Sequence, residues 1–257
     1  FFPSAEITAE ANPESFSEGH TEVWKKWGVA RVSLGVQSFS DADLHWLDRP
    51  HDADRARWAL KKAVAAGFSV SADLMFGLRG QNLRGWKSSV SEAIGLGVHH
   101  ISLYQLSIDE GCRWSMNPPE DLPDGYPMYR WSQWYLPQKG FDQYEIASFA
   151  KPGHHCRHNL SYWTNAPVLA IGAGAWGYLG NTRYRNGGTI KEYGEAVEKY
   201  GCGAVATESL EPEKAYREAA VLLLRTKWGI SFRDYSAQYG EEALQSVIRT
   251  LKNEAPQ

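Results

Sequence analysis

RVSLGVQ, at residues 31–37, is the stretch that decides the fold class. Its apolar and β-branched residues predict a strand buried on both faces, as is typical of parallel sheets. A helix is predicted next over residues 53–66, with Gly67 as its C-terminal stop, and a second strand over residues 70–76. Strand, helix and strand at this spacing predict βαβ units in a parallel sheet.

The pattern extends in both directions from this centre. Residues 6–12 predict a strand that ends at Pro13, and residues 100–106 predict another that follows a helix stopping near Gly97. A polar, proline-rich linker follows at 109–127, and the chain then changes character. The later predictions are a helix over 128–139, a loop with three histidines over 152–163, a glycine-rich run over 168–177, and helix from Glu211 onward. We therefore expect three parts: 1–110, 111–210 and 211–257.

Composition limits the classes of function. The chain has 257 residues, 43% of them hydrophobic, and a net charge of -3, which offers no basic face for nucleic acid. We expect no signal peptide and no transmembrane segment. Three widely spaced cysteines favour a reducing, cytoplasmic compartment. They form no cysteine-rich motif, so this chain alone cannot hold an iron–sulfur cluster in such a loop.

Four polar residues lie near predicted strand ends: Glu10, Gln37, Arg49 and Asp73. Carboxylates accept hydrogen bonds from ribose hydroxyls, an amide both donates and accepts, and a guanidinium binds a carboxylate with two hydrogen bonds. Because functional residues of barrels gather at the C-terminal strand ends, Leu106-Ser107 belongs with them. The alternative is that Glu10 or Asp73 caps a helix or pairs with a lysine.

Two later stretches are chemically suggestive. The segment around His154, His155, Cys156 and His158 could bind a metal or ligate haem iron, or be structural, and its spacing does not indicate a zinc site. The run at 172–177 has G-x-G-x-x-G spacing, but no acidic residue or βαβ pattern follows it. Close backbone packing or approach to a ligand is therefore favoured over a dinucleotide fingerprint.

Taken in order, the motifs resemble one family. They are EITAEANP (6–13), RVSLGVQSF (31–39), RPH (49–51), DLMFGLRGQ (73–81), ISLYQL (101–106), YEI (144–146), FA (149–150), H-x-C-R-H-N-x-x-Y-W (154–163) and GAGA (172–175). This series is similar to the radical S-adenosylmethionine (SAM) proteins called oxygen-independent coproporphyrinogen III oxidase-like, and especially to their haem chaperone subgroup.

The resemblance implies an α/β fold, a partial, TIM-barrel-like (β/α)6 radical SAM barrel followed by a mixed, mainly helical C-terminal region. It implies SAM as a cofactor, contacted by Glu10, Gln37, Arg49, Asp73, Leu106 and Ser107. A four-iron four-sulfur cluster is implied for the full-length protein only. Haem or porphyrin is implied as ligand, with haem-accepting proteins as partners. The segment with His158, Asn159, Tyr162 and Trp163 is implied in haem binding, with His154 and His158 as candidate iron ligands.

The chain also departs from the family pattern. Arg79, Trp176 and Asp48 stand where the family commonly has proline, histidine and glycine. The cysteine loop is absent, so we expect either a fragment of a longer protein or a degenerate member of the family. The fragment is favoured because the ligand positions after the missing part are intact, and we expect this chain to be inactive as a radical enzyme by itself. The YQLSI strand end and the HNxxYW run favour a haem chaperone. The alternatives are a coproporphyrinogen III dehydrogenase, a non-catalytic haem-binding module, and an unrelated barrel hydrolase using Glu10 and Asp73.

Overall fold

A computed structural model describes residues 4–112 and 114–254. The chain divides by its internal contacts into two compact units, Phe1–His155 and Cys156–Gln257. The division into three domains, 1–110, 111–210 and 211–257, stays a prediction. Each unit is described below by itself.

The first unit is a mainly parallel, six-stranded sheet with helical crossovers. The strands are β1 (Thr8–Ala11), β2 (Arg31–Gln37), β3 (Ser69–Phe76), β4 (His100–Gln105), β5 (Asp142–Gln143) and β6 (Ser148–Ala150), and the helices are α1 (Glu18–Lys26), α2 (Asp41–Trp46), α3 (Ala53–Ala65), α4 (Leu83–Gly95) and α5 (Tyr126–Gln138). The sheet order is β1-β2-β3-β4-β6-β5. The first four strands pair in parallel, and β6 and β5 complete the sheet in antiparallel fashion. The predicted α/β class is confirmed.

The two faces of this sheet differ because side chains alternate along each strand. On one face Val32, Leu34 and Val36 of β2 are fully buried, in a core that also contains Leu60 of α3 and Trp86 of α4. Each such leucine contributes roughly 1.5–3 kcal/mol through its removal from water. The opposite face carries polar side chains. The strand β2 is therefore buried, as predicted, but apolar on one face alone.

Local signals set the helix ends. Asp52 begins α3 by accepting a hydrogen bond from the backbone N–H of Arg55, and Asn82 begins α4 in the same way with Gly85. Gly67 follows α3 with a φ of 82°, a left-handed conformation that favours glycine. The helix stop predicted at Gly67 is confirmed, and each crossover returns the chain to the start of the next strand.

The second unit is mixed. Its elements are α6 (Arg157–Trp163), β7 (Trp176–Leu179), β8 (Thr182–Asn186), α7 (Ile190–Tyr200), β9 (Ala204–Ser209), α8 (Pro212–Leu224), α9 (Phe232–Tyr239) and α10 (Glu241–Glu254). The three strands form an antiparallel sheet in the order β7-β8-β9. A separate core joins Ala219 of α8, Tyr235 of α9, and Leu244 and Val247 of α10.

Residues 152–163 were expected to be a loop, but their second half is α6; the segment lacks an apolar stripe that would have predicted a helix. The glycine run leads into the β7–β8 hairpin rather than into a helix, so it is not a dinucleotide fingerprint. At Gly177 a Cβ atom would collide with the ring of Tyr184, which confirms close backbone packing.

No helix within residues 4–112 and 114–254 combines the length and the apolar character that crossing a membrane requires.

Candidate functional site

Polar residues of neighbouring strands meet on one face of the parallel sheet. In the strand registers Glu10 of β1 lies opposite Ser33 of β2, Ser33 lies opposite Ser71 of β3, and Asp73 of β3 lies opposite Ser102 of β4. Opposed residues of parallel strands share a face. Two of the predicted site residues, Glu10 and Asp73, are thus brought to the same face, toward the C-terminal strand ends.

Asp73 is the best-defined member of this face. The hydroxyl of Ser33 donates to both of its carboxylate oxygens, at 3.1 and 3.2 Å, and the hydroxyl of Ser71 donates to Oδ1 at 3.4 Å. Burial raises the pKa of Asp73 to about 6, with a smaller contribution from the negative charge of Glu10, while hydrogen bonds from Ser102, Ser33 and Ser71 act in the opposite direction. Asp73 is therefore a buried carboxyl group that accepts hydrogen bonds and whose pKa lies above its ordinary value of 3.8.

Gln37 ends β2 in an unusual backbone conformation. Its φ is 65°, in the left-handed region that non-glycine residues rarely adopt, and the β2–β3 register shifts between Leu34 and Gln37. A Cβ atom on Gly35 would lie 2.7 Å from Oδ1 of Asn12 and 3.0 Å from Nε2 of Gln37. Gly35 is thus needed because two amide side chains lie directly over it. A bulge beside a site that re-aims a side chain is a common functional device.

Arg49 follows α2, which itself follows the C-terminal end of β2. Its backbone N–H donates to the carbonyl oxygen of Leu44 at 2.9 Å. The preceding residue, Asp48, has a φ of 58°, in the left-handed region that favours glycine. His51 then joins Glu14, through Nδ1 at 2.9 Å, to the carbonyl oxygen of Val36, through Nε2 at 3.2 Å. His51 of the RPH motif therefore ties the segment after β1 to the end of β2.

Leu106 and Ser107 follow β4 at the same end of the sheet. The backbone N–H of Leu106 donates to the carbonyl oxygen of Phe76, the last residue of β3, at 2.9 Å, and the Ser107 hydroxyl donates to Asp109 at 3.3 Å. Further along this segment Trp114 stacks on Trp46 of α2, with ring centres 4.4 Å apart. The segment is thereby held close to the loop that carries Arg49.

The predicted histidines fall into different settings. His154, in the first unit, hydrogen-bonds through Nδ1 to Ser69 Oγ at 2.8 Å and stacks on His99 at 4.4 Å. Burial lowers the pKa of His154, and the positive charges of Arg31 and Lys151 add to this effect. His158 lies in α6 of the second unit, exposed, with its ring edge-on to Tyr162 at 5.0 Å. Within the described ranges, no group of three or more His, Cys, Asp or Glu side chains is arranged to hold a metal ion.

A cavity of about 300 Å³ lies in the second unit. Its walls come from α6, the β7–β8 hairpin and α8, and its lining residues include Tyr162, Trp163, Trp176, Tyr178, Arg183 and Leu222. The site combines aromatic walls with an ion pair, because Arg183 donates to both carboxylate oxygens of Glu218, at 2.8 and 3.1 Å.

Trp163 is the residue of the HNxxYW segment that is best placed in this cavity. The guanidinium carbon of Arg225 lies 4.4 Å from the centre of its ring. Its indole N–H is buried and has no hydrogen-bond partner among the described residues. Leaving a buried donor unsatisfied costs free energy, so this position favours an acceptor that the described residues do not supply. Two of the predicted haem-binding residues, Tyr162 and Trp163, line the cavity, whereas Asn159 is a half-buried residue of α6 that is not part of its lining.

Comparison with known proteins gives the family. Residues 2–93 match the model of the Radical SAM superfamily. Over 260 residues the chain is 34% identical to heme chaperone HemW of Bacillus subtilis, a match that covers 96% of this chain and 68% of that protein. Heme chaperone HemW of Escherichia coli is 39% identical over 177 residues, covering 67% of this chain and 47% of that protein. The chain belongs to the HemW family of radical SAM proteins.

Membership of the HemW family confirms the family resemblance that the sequence motifs indicated. A further relative is Radical S-adenosyl methionine domain-containing protein 1, mitochondrial, of Bos taurus. It is 32% identical over 247 residues, which cover 90% of this chain and 56% of that protein. The fold is similar to that of coproporphyrinogen III oxidase (HemN) from Escherichia coli, with a TM-score of 0.83 at 19% identity over 98% of this chain and 62% of that one. This chain spans 68% of the Bacillus subtilis relative and 58% of the Synechocystis relative.

Several residues that contact Asp73, directly or through hydrogen bonds, were not singled out from the sequence. Ser33, Ser71 and Ser102 surround Asp73, and His100 and Tyr144 continue the hydrogen bonding from Ser71. For Ser33 and Ser71 the signal in the sequence is the alternation of polar with apolar residues in RVSLGVQ and SVSADLMF. That alternation indicates a polar face, but it does not say which hydroxyls meet one carboxylate.

Proposed function

We propose that the first unit binds SAM at the C-terminal ends of β1 to β4, through the side chains of Glu10, Gln37, Arg49 and Asp73 and through Leu106 and Ser107. The supporting observation is the carboxylate of Asp73, fixed by serine hydroxyls on a polar face. The residues present fit this cofactor: carboxylates accept from ribose hydroxyls, and Gly35 leaves the space in which Asn12 and Gln37 lie.

The radical chemistry is proposed for the whole protein. Bound SAM would supply a reactive sulfonium group, and the residues that would hold it here are Glu10, Gln37, Arg49 and Asp73. The described residues of this chain do not fit a four-iron four-sulfur cluster, since Cys112, Cys156 and Cys202 form no metal-holding group. Within this chain the role of the residues is to orient the cofactor and to exclude water from it.

For the second unit we propose haem binding, with the function of a haem chaperone in haem and porphyrin metabolism. The single observation that carries this proposal is the aromatic cavity lined by Tyr162 and Trp163. Relatives bear the name heme chaperone. At about 300 Å³ the cavity lies at the lower limit of ligand pockets, roughly 300–1,000 Å³. We therefore propose that it accommodates one edge of the macrocycle, with His158 as the candidate iron ligand.

A haem-accepting protein is the expected partner, and the cytoplasm is the expected compartment. His154 is the weaker candidate for an iron ligand, because its Nδ1 already hydrogen-bonds to Ser69 and its ring stacks on His99. A coproporphyrinogen III dehydrogenase remains the alternative activity. The fold similarity to HemN is compatible with it, but no side-chain contact favours it over the chaperone.

The test of haem binding is a titration of the chain with haem, followed by the haem absorption band and by quenching of tryptophan fluorescence. We expect Trp163→Phe and His158→Ala to weaken binding, the former because it removes the buried indole N–H at the cavity wall. The matched controls are Trp228→Phe and His45→Ala, both at exposed positions outside the cavity. Equal binding by all four variants would contradict the proposed site.

A further inference from the structure

A line of hydrogen-bonded side chains runs along the polar face of the first sheet to Asp73. The Tyr144 hydroxyl lies 2.8 Å from Nε2 of His100, and Nδ1 of His100 lies 2.8 Å from the hydroxyl of Ser71. The Ser71 hydroxyl in turn donates to Oδ1 of Asp73 at 3.4 Å. Tyr144, His100 and Ser71 are buried. The line joins residues 44 and 29 positions apart in the sequence, so it exists because β3 and β4 pair in register and β6 returns beside β4.

The donors and acceptors assign one direction to this line. A carboxylate accepts hydrogen bonds and cannot donate one, so the Ser71 hydrogen points to Asp73. Ser71 Oγ then accepts from His100 Nδ1–H, which leaves Nε2 of His100 as the acceptor for the Tyr144 hydroxyl. This arrangement requires a neutral imidazole. Burial lowers the pKa of His100 well below 6.5, and the positive charges of Arg31, His155 and His154 act in the same direction.

The other groups that face Asp73 do not interrupt the line. From β1 Glu10 adds a negative charge, and from β2 and β4 the hydroxyls of Ser33 and Ser102 donate to Asp73. Tyr104 of β4 stays protonated, since burial raises its pKa to about 12, helped by the negative charges of Asp73, Glu145 and Glu10. Tyr144, His100 and Ser71 thus form a continuous hydrogen-bonded connection from Asp73 to the residue that precedes the loop into β6.

We infer that Tyr144, His100 and Ser71 are positioning residues that hold Asp73 as a correctly oriented hydrogen-bond acceptor for its ligand. Every donor in the line points toward the carboxylate, and aligned hydrogen bonds polarise one another. The line therefore favours the ionised form of Asp73 and restricts rotation of its carboxyl group. The inference rests on the proposed binding of SAM, but the effect on Asp73 exists without any ligand.

The first test measures the titration of Asp73 in the full chain without ligand, by carbon-13 NMR of labelled aspartate carboxyl groups, with Asp73→Asn used to assign the signal. Ser71→Ala is expected to raise the pKa of Asp73 by roughly 0.5 to 1, because it removes a donor to the carboxylate. Tyr144→Phe keeps the ring and is expected to raise it by roughly 0.2 to 0.5, because its effect passes through two hydrogen bonds. Ser71→Thr, which keeps a hydroxyl, is expected to restore the wild-type value.

Two control variants match these changes. Ser69 is the preceding serine on the same face of β3, and it hydrogen-bonds to the Nδ1 atom of a different histidine, His154, also at 2.8 Å. The Tyr129 hydroxyl donates to the carbonyl oxygen of Ile146 at 2.7 Å, outside the line. Ser69→Ala and Tyr129→Phe are expected to leave the pKa of Asp73 unchanged. The inference is overturned if Tyr144→Phe also leaves it unchanged, or if the controls raise it as much.

The second test measures SAM affinity by equilibrium dialysis. Ser71→Ala is expected to bind SAM about threefold more weakly at pH 6, where the ionised fraction of Asp73 changes most, with a smaller loss at about pH 8. If the wild-type chain binds no SAM while the NMR shifts occur as expected, the proposed SAM site fails and the positioning line stands. If SAM binds normally to a Ser71→Ala chain whose Asp73 titration is unaltered, the positioning line fails and the SAM site stands.

Discussion

The hydroxyl of Ser33 bridges both carboxylate oxygens of Asp73, at 3.1 and 3.2 Å, between the adjacent strands β2 and β3. This contact joins the two motifs RVSLGVQSF and DLMFGLRGQ, which lie about 40 residues apart in the chain. It also makes Asp73 dependent on a neighbouring strand for its orientation. The proposed cofactor site is therefore sensitive to changes in β2 that touch no ligand.

Binding of SAM should depend on pH through Asp73. Because the pKa of Asp73 is about 6, we expect affinity to rise as the pH rises through that value and the carboxylate forms. Ser33→Ala removes a donor, should move the midpoint to higher pH, and should weaken binding roughly five- to tenfold near pH 6. Equilibrium dialysis between about pH 5 and about pH 8 measures both effects. A flat affinity profile for the wild-type chain would exclude Asp73 as a ligand-binding carboxylate.

Asp73 should lower stability at neutral pH. Its pKa is raised from the ordinary value of 3.8, so its favourable contribution to folding is complete below 3.8 and is lost as the pH rises through about 6. We expect Asp73→Asn to increase the free energy of unfolding at pH 7.5 by about 1–3 kcal/mol and to abolish SAM binding. Urea unfolding at pH 7.5 and at about pH 4 measures the change, and the gain should disappear at the lower pH. A loss of stability at both values would contradict this account.

Gly35 should be intolerant of a side chain. Gly35→Ala places a methyl group against Oδ1 of Asn12 and Nε2 of Gln37, so either the amides or the β2 bulge must move. We expect the variant to lose about 1–3 kcal/mol of stability and to bind SAM at least tenfold more weakly. Gly95→Ala, at the end of α4, is the matched control, since nothing lies within 4 Å of the added methyl group. Thermal unfolding and SAM dialysis of the two variants should therefore differ sharply.

Gly177, in the cavity wall of the second unit, should be equally intolerant of a side chain. Gly177→Ala brings a methyl group into the ring of Tyr184, whose hydroxyl accepts a hydrogen bond from the backbone N–H of Ala170 at 2.8 Å. We expect a loss of about 1–3 kcal/mol and weaker haem binding, because the wall formed by β7 shifts. In the same unit Gly194→Ala lies inside α7 in open space and should add about 0.5–1 kcal/mol. Haem titrations should separate the two, and equal affinity would argue against the cavity as the haem site.

The sequence specified the parts of the fold that depend on local pattern. The strand predicted at 31–37 coincides with β2, and the helix predicted at 53–66 ends within one residue of α3, because apolar periodicity and Gly67 set both. The strand β9 was not found, since most of its residues are exposed and carry no buried face. The short helix α1 was missed as well, although its cap is formed locally by Ser17 and His20.

The sequence predicted the site residues that lie near strand ends, but it did not predict the hydrogen bonds that connect them to other residues. Glu10 and Asp73 could be singled out because polar residues at the ends of buried strands are conspicuous. The line through His100 and Tyr144 could not, since it depends on strand register and on an antiparallel return of β6 beside β4. The left-handed conformation of Gln37 could not be predicted either, because a glutamine in a sequence does not indicate a positive φ.

The alternation along β2 and β3 separates two kinds of evolutionary constraint. Leu34 and Leu74 stabilise the fold through burial, while their neighbours Ser33 and Asp73 face the other way and do not contribute to that core. A substitution on the polar face can therefore alter recognition without disturbing the packing beneath it. Mutational tolerance across these strands should follow a period of two residues, and one stable scaffold can then support divergent chemistries among its relatives.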